Sequence, residues 1–167
     1  VYWKANAGTG TVLYDHTGNA NHATINGATW STETPILYQP QSKEELQTAV
    51  DLWVSNEATA LATYGDISVW DVSLITNMSS LFENKSTFND NISDWDVSNV
   101  TTMSRMFQEC TNCNPDITNW DVSSLTSGYR MFFKASSFNQ DISGWNMSSA
   151  TSIHMMFDDA SSFNQDI

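Results

Sequence analysis

In the second half of the chain, apolar positions return every 25 residues. Trp70, Trp95, Trp120 and Trp145 form one column, Ile67, Ile92, Ile117, Ile142 and Ile167 a second, and Phe82, Phe107, Phe132 and Phe157 a third. Milder substitution marks others: Val72, Val97, Val122, Met147; Leu81, Met106, Met131, Met156; Ile75, Val100, Leu125, Ala150. Within each period the rhythm changes. Ile92-x-x-Trp95-x-Val97 has the alternation of a short strand, with Asp96 turned outward. Val100, Met103, Met106, Phe107 and Cys110 then follow at steps of three and four, the stripe of a short helix. Thr101 or Thr102 stands where its N-cap would fall, and the column Asn89, Asn114, Asn139, Asn164 suits the turn back.

One short parallel strand plus one short helix per repeat predicts an α/β solenoid over residues 67–167, a right-handed coil of the leucine-rich-repeat kind. No repeat buries its apolar face alone, whereas stacked neighbours bury a continuous one. Like rings then pile into ladders, each burying ~150–250 Å² and contributing several kcal/mol at about 25 cal/mol per Å². Residues 39–66 read as a cap and lead-in. Ser42-Lys43-Glu44-Glu45 is a capping box; Leu46, Ala49, Val50, Trp53 and Val54 make one apolar helix face, and residues 56–65 end that helix. Residues 1–38 form a short β-rich extension, with strands near 12–14 and 23–30 around a Thr17-Gly18-Asn19 turn. The chain opens at Val1 rather than Met, and stops at Asp166-Ile167 within the pattern, so a longer natural protein is expected.

Composition narrows the function. Six Lys and Arg against 19 Asp and Glu give a net charge of −13, which argues against nucleic acid and anionic lipid as partners. With 40% hydrophobic residues and seven tryptophans there is material for a core, so intrinsic disorder is not expected. No apolar run approaches the roughly 20 residues of a membrane span.

Phe138-Asn139-Gln140-Asp141-Ile142-Ser143-x-Trp145, Trp-Asp-Val-Ser at Trp70, Trp95 and Trp120, and Met-Phe at Met106, Met131 and Met156 together resemble the BspA-like surface-protein repeat family of mycoplasma lipoproteins, other bacteria and microbial eukaryotes. The resemblance covers residues 39–167. It implies a leucine-rich-repeat-like fold, a secreted or cell-surface setting, a role in adhesion or surface structure, and no catalytic residues. Residues 1–35 resemble the opening of a laminin-G-like, concanavalin-A-like jelly roll, too short for a complete sandwich.

Candidate chemistry is sparse. Cys110-x-x-Cys113 is the only cysteine pair, and its columns face inward, which suits a local disulfide or two buried thiols better than a zinc or redox site. His16 and His22 flank a turn beside Asp15, while His154 belongs to a solvated helix face. Asp71, Asp96 and Asp121, closed by Asn146, form an outward column that is either solvated or a calcium site, since stacked carboxylates repel and calcium takes their oxygens. A second column, Asp66, Asn91, Asp116, Asp141 and Asp166, suits acceptance of backbone N–H groups at each turn. Sequons occur at Asn77, Asn84, Asn91, Asn99 and Asn146; Asn84 and Asn99 are the leading glycan acceptors if the source is eukaryotic, and Asn91 reads as too buried. No cofactor is expected, calcium aside. The chain therefore reads as a non-catalytic, secreted or cell-surface, structural or adhesive protein. Self-association would join the N-terminal strands to the open last coil, head to tail, building filaments. The alternative is a glycan- or protein-binding surface module.

Overall fold

The computed structural model describes residues 37–166 and the strands β1 (Trp3–Lys4), β2 (Val12–Asp15) and β3 (Ala23–Thr24). The chain divides into two units, Val1–Pro35 and Ile36–Ile167. In the first, the three strands form an antiparallel sheet in the order β1-β2-β3, with Trp3 opposite Asp15 and Leu13 opposite Ala23. The Thr17-Gly18-Asn19 turn, the imidazoles of His16 and His22, and residues 25–30 lie outside the described residues.

The second unit opens with α1 (Lys43–Ser55) and α2 (Glu57–Tyr64). Ser42 caps α1 by accepting the Glu45 N–H at 3.2 Å, and the Glu45 carboxylate accepts the Gln41 N–H at 2.7 Å. Leu46, Ala49, Val50 and Trp53 are buried, whereas Val54, assigned to the same face, is exposed. Residues 56–65 do not merely end α1. Asn56 caps α2 through the Thr59 N–H, and Gly65 closes it at φ 75°, a conformation that costs glycine little.

After a single 3₁₀ turn, Ile67–Val69, neither an α-helix nor a β-strand occurs among residues 70–166. The expected α/β solenoid of the leucine-rich-repeat kind, with a strand and a helix per repeat, is thereby overturned. Parallel pairing shrinks to isolated bridges joining Asn77, Thr102, Ser127 and Ser152, the second of which had been a candidate helix cap.

Consecutive turns replace both elements. In the stretch read as helix, Leu81, Glu83 and Lys85 donate to the carbonyls of Met78, Ser80 and Phe82, three residues back. Ser80 and Asn84, Arg105 and Glu109, Arg130 and Lys134, and Met155 and Asp159 all have φ between 54° and 62°. A left-handed residue at every fourth position stops a right-handed helix from propagating. The remaining N–H groups point across to the next coil. Met78, Ser80, Phe82 and Asn84 donate to Thr102, Ser104, Met106 and Gln108 at 2.8–3.0 Å; Met103, Arg105, Phe107 and Glu109 do the same to Ser127, Tyr129, Met131 and Phe133. Backbone polarity is thus satisfied between coils rather than within an element. The stretch read as strand is also folded, with Trp95 donating to Ile92 and Val100 to Val97.

The stacked coils carry the core. Phe82, Phe107, Phe132 and Phe157 stack at centroid separations of 5.2, 5.6 and 5.4 Å, tilted by 6° or less. Trp70 stacks on Trp95 at 6.3 Å. The buried indoles of Trp95, Trp120 and Trp145 donate to the carbonyls of Ile67, Ile92 and Ile117 at 2.9, 3.0 and 3.2 Å, which removes the cost of sealing a donor in an apolar interior. Helix α1 covers the first coil. Trp53 meets Trp70 edge-on at 5.8 Å, Gln47 donates to the Leu81 carbonyl, and Asp51 pairs with Lys85.

Candidate functional site

Asp71, Asp96 and Asp121, the calcium candidates, turn their oxygens onto their own coils. Asp71 accepts the N–H and hydroxyl of Ser73 at 3.1 and 2.6 Å, Asp96 those of Ser98 at 3.1 and 2.6 Å, and Asp121 the Ser123 N–H at 3.0 Å. Asn146 ends the column in the same way on Ser148. The second column repeats the geometry: Asp66 on Ser68, Asn91 on Ser93, Asp116 on Thr118, Asp141 on Ser143. Both columns are therefore turn-forming, and the first is not simply solvated. These bonds favour the charged form, so the Ser73, Ser123 and Ser143 hydroxyls, followed by their N–H groups, hold Asp71, Asp121 and Asp141 below the usual carboxylate range. Among the described residues, no group of three His, Cys, Asp or Glu is placed to hold a metal ion.

The same turn explains three of the five sequons. Asn77, Asn91 and Asn146 accept the N–H of Ser79, Ser93 and Ser148, so Asn-x-Ser recurs for the reason that Asp-x-Ser does. All five sequon asparagines are exposed, Asn91 included, contrary to its expected burial. The Asn99 side-chain amide donates to the Ser73 carbonyl at 3.0 Å, whereas Asn84 sits at φ 62° on an open turn.

Cys110 and Cys113 are joined in a disulfide, both buried, with their sulfurs against the Lys85 carbonyl oxygen. The disulfide fills a ring's place. In the other coils Phe88, Phe138 and Phe163 lie on Phe82, Phe132 and Phe157 at 4.2, 3.9 and 4.2 Å. On the last coil, Ile142, Trp145, Met147, Ile153, Met156 and Phe157 line an apolar cleft of about 350 Å³.

One grouping escaped the sequence reading. Arg105, Tyr129, Arg130, Phe133, Lys134 and His154 gather on one face of the stack. The Arg130 guanidinium lies over Tyr129 at 5.3 Å and Phe133 at 4.8 Å, Arg105 over Tyr129 at 5.8 Å, and the Lys134 ammonium over Phe133 at 5.1 Å. The exposed His154 stacks on Tyr129 at 6.2 Å. Three of the chain's six lysines and arginines fall within residues 105–134, a concentration visible in the sequence; of the group, the sequence reading placed only His154, on a solvated helix face.

Residues 50–167 match the model of a family described as "Mycoplasma protein of unknown function, DUF285". No curated protein and no solved structure matches the chain. No helix among the described residues is long and apolar enough to cross a membrane.

Proposed function

This chain belongs to the DUF285 family, and from that premise we propose that it is a non-catalytic, secreted or cell-surface repeat protein with a structural or adhesive role. The observation that carries the reading is where the reactive groups go. Carboxylates close turns, indole N–H groups hold the preceding coil, and the cysteines are joined. A side chain committed to cohesion is not free for general acid, base or nucleophile work. The resemblance to the BspA-like surface repeats supports the setting. Antibody against the stacked unit, applied to intact cells, labels them, and external protease removes the epitope. Labelling only after permeabilisation overturns the reading.

Self-association belongs to the same proposal. The apolar cleft lined by Trp145, Met147, Ile153, Met156 and Phe157 supports it. In this reading the N-terminal strands of a second copy dock against that cleft. Sedimentation velocity shows mass growing with concentration; a single monomeric species throughout overturns it. The alternative, a glycan- or protein-binding surface module, is favoured by the cationic and aromatic face.

A further inference from the structure

We infer that the face around Arg130 binds the anionic sugar of an acidic saccharide, one bearing a carboxylate or sulfate. This deepens the adhesive reading and rests on it. Three observations meet at this face. The first is unmet charge. Among the described residues, the one ion pair joins Lys85 to Asp51, which leaves Arg105, Arg130 and Lys134 with no carboxylate partner in a chain of net charge −13. Two of Arg130's donors, Nε and Nη2, point at the Met155 thioether at 3.3 and 3.2 Å, and sulfur is a poor acceptor for a guanidinium. An oxyanion would replace that weak contact with charge-assisted bonds, and the planar fork suits a two-oxygen partner.

The second observation is preorganisation. Arg130 is held between the half-buried rings of Tyr129 and Phe133, so little side-chain freedom remains to be lost on binding. The third is a row of hydroxyls beside the cations. Ser79 Oγ meets Thr102 Oγ1 at 3.2 Å, Thr102 meets Ser104 at 3.2 Å, and Ser104 meets Ser127 at 2.9 Å. Each hydroxyl donates and accepts, and the row crosses three coils next to Arg105 and Tyr129. A saccharide presents the complementary array; an acidic peptide does not.

Charge around the face limits what can approach. Glu83 and Asp158 share the column of Phe133, and Glu109 and Asp159 that of Lys134, so a long polyanion running along the stack meets repulsion.

Calorimetry and saturation-transfer NMR with 3′-sialyllactose, 3′-sulfolactose and uncharged lactose test the inference on the whole chain. At least one charged sugar binds saturably, about tenfold or more tighter than lactose, and more weakly as salt rises. Arg105→Gln with Arg130→Gln lowers that affinity about tenfold, and Ser104→Ala with Ser127→Ala lowers it a few-fold. Should the arginine pair prevent folding, Lys134→Gln, on an exposed turn, carries the test with a loss of about threefold. No saturable binding, equal binding of lactose, indifference to the substitutions in the folded variants, or equal competition by a poly-glutamate peptide overturns the site. Surface labelling of intact cells without saccharide binding overturns this inference and leaves the adhesive reading standing. Saccharide binding by a chain confined inside the cell does the reverse.

Discussion

Truncating Phe107 to alanine removes a ring from the middle of the phenylalanine ladder. Phe107 is 1% exposed and lies between Phe82 at 5.2 Å and Phe132 at 5.6 Å, nearly parallel to both. A phenylalanine side chain that buries ~150–200 Å² is worth about 4–5 kcal/mol at 25 cal/mol per Å². Alanine keeps the β-carbon's share, while each lost stack adds about 0.5–1.5 kcal/mol. A net cost near 4 kcal/mol follows, within the usual range of about 3–5 for such truncations. Phe157 supplies the control. It is half-buried and has one ladder neighbour, Phe132 at 5.4 Å, besides Phe163. Phe157→Ala should cost about half as much, roughly 2 kcal/mol. Urea unfolding followed by the fluorescence of the seven tryptophans, with linear extrapolation, gives both values. Since folded domains hold about 5–15 kcal/mol in all, Phe107→Ala should leave the chain marginal. A cost below about 1 kcal/mol, or one no larger than that of Phe157→Ala, refutes the ladder as the source of cohesion.

Reducing the Cys110–Cys113 bond, which closes a very short loop, should lower stability by about 2 kcal/mol. Cys110→Ala with Cys113→Phe, which restores the Ala-and-Phe arrangement of Ala135 and Phe138, should then recover about 2 kcal/mol over the double alanine variant; no recovery contradicts the placement of the disulfide in a ring's position. Asp71, Asp121 and Asp141 titrate lower folded than unfolded, so their contribution is present above the ordinary carboxylate value and disappears as pH falls through the folded one. The urea midpoint should hold down to about pH 5 and drop below about pH 4, with a shallower drop in a Ser73→Ala, Ser123→Ala, Ser143→Ala variant. Tyr38 behaves oppositely. Burial first, then Tyr64 and Glu45, push its phenol up to about 12, so stability is full below the unfolded value near 10 and is lost as pH climbs through 12. Phenolate absorbance should show a late-titrating component that Tyr38→Phe removes.

The 25-residue period, the inward Trp and Phe columns and the capped helix α1 could all be read from the residues themselves, because burial and periodicity are one pattern seen twice. The backbone between them could not. Residues 100–110 place apolar side chains at steps of three and four, which a right-handed helix and a run of turns satisfy equally. The residues that decide between them, Arg105, Glu109, Arg130 and Lys134, adopt left-handed φ without glycine and so leave no mark. Their conformation is held by the bonds their N–H groups make to the next coil, a tertiary cause that a local window does not contain. A legible signal was passed over. Asp-x-Ser, Asn-x-Ser and Asp-x-Thr recur in two columns of every repeat, and a carboxylate or amide that closes on the N–H two residues ahead marks a turn rather than a strand. The Arg130 face was lost with the helix, since its side chains converge only when coils stack in this geometry.

NMR couplings transmitted through hydrogen bonds test the central claim, that coils are joined by backbone bonds between turns. The Phe107 amide nitrogen should couple to the carbonyl of Met131, 2.8 Å away in the next coil, and Arg105 to that of Tyr129. Coupling of Phe107 instead to the carbonyl of Met103, four residues back on its own coil, would restore the helix and contradict the account.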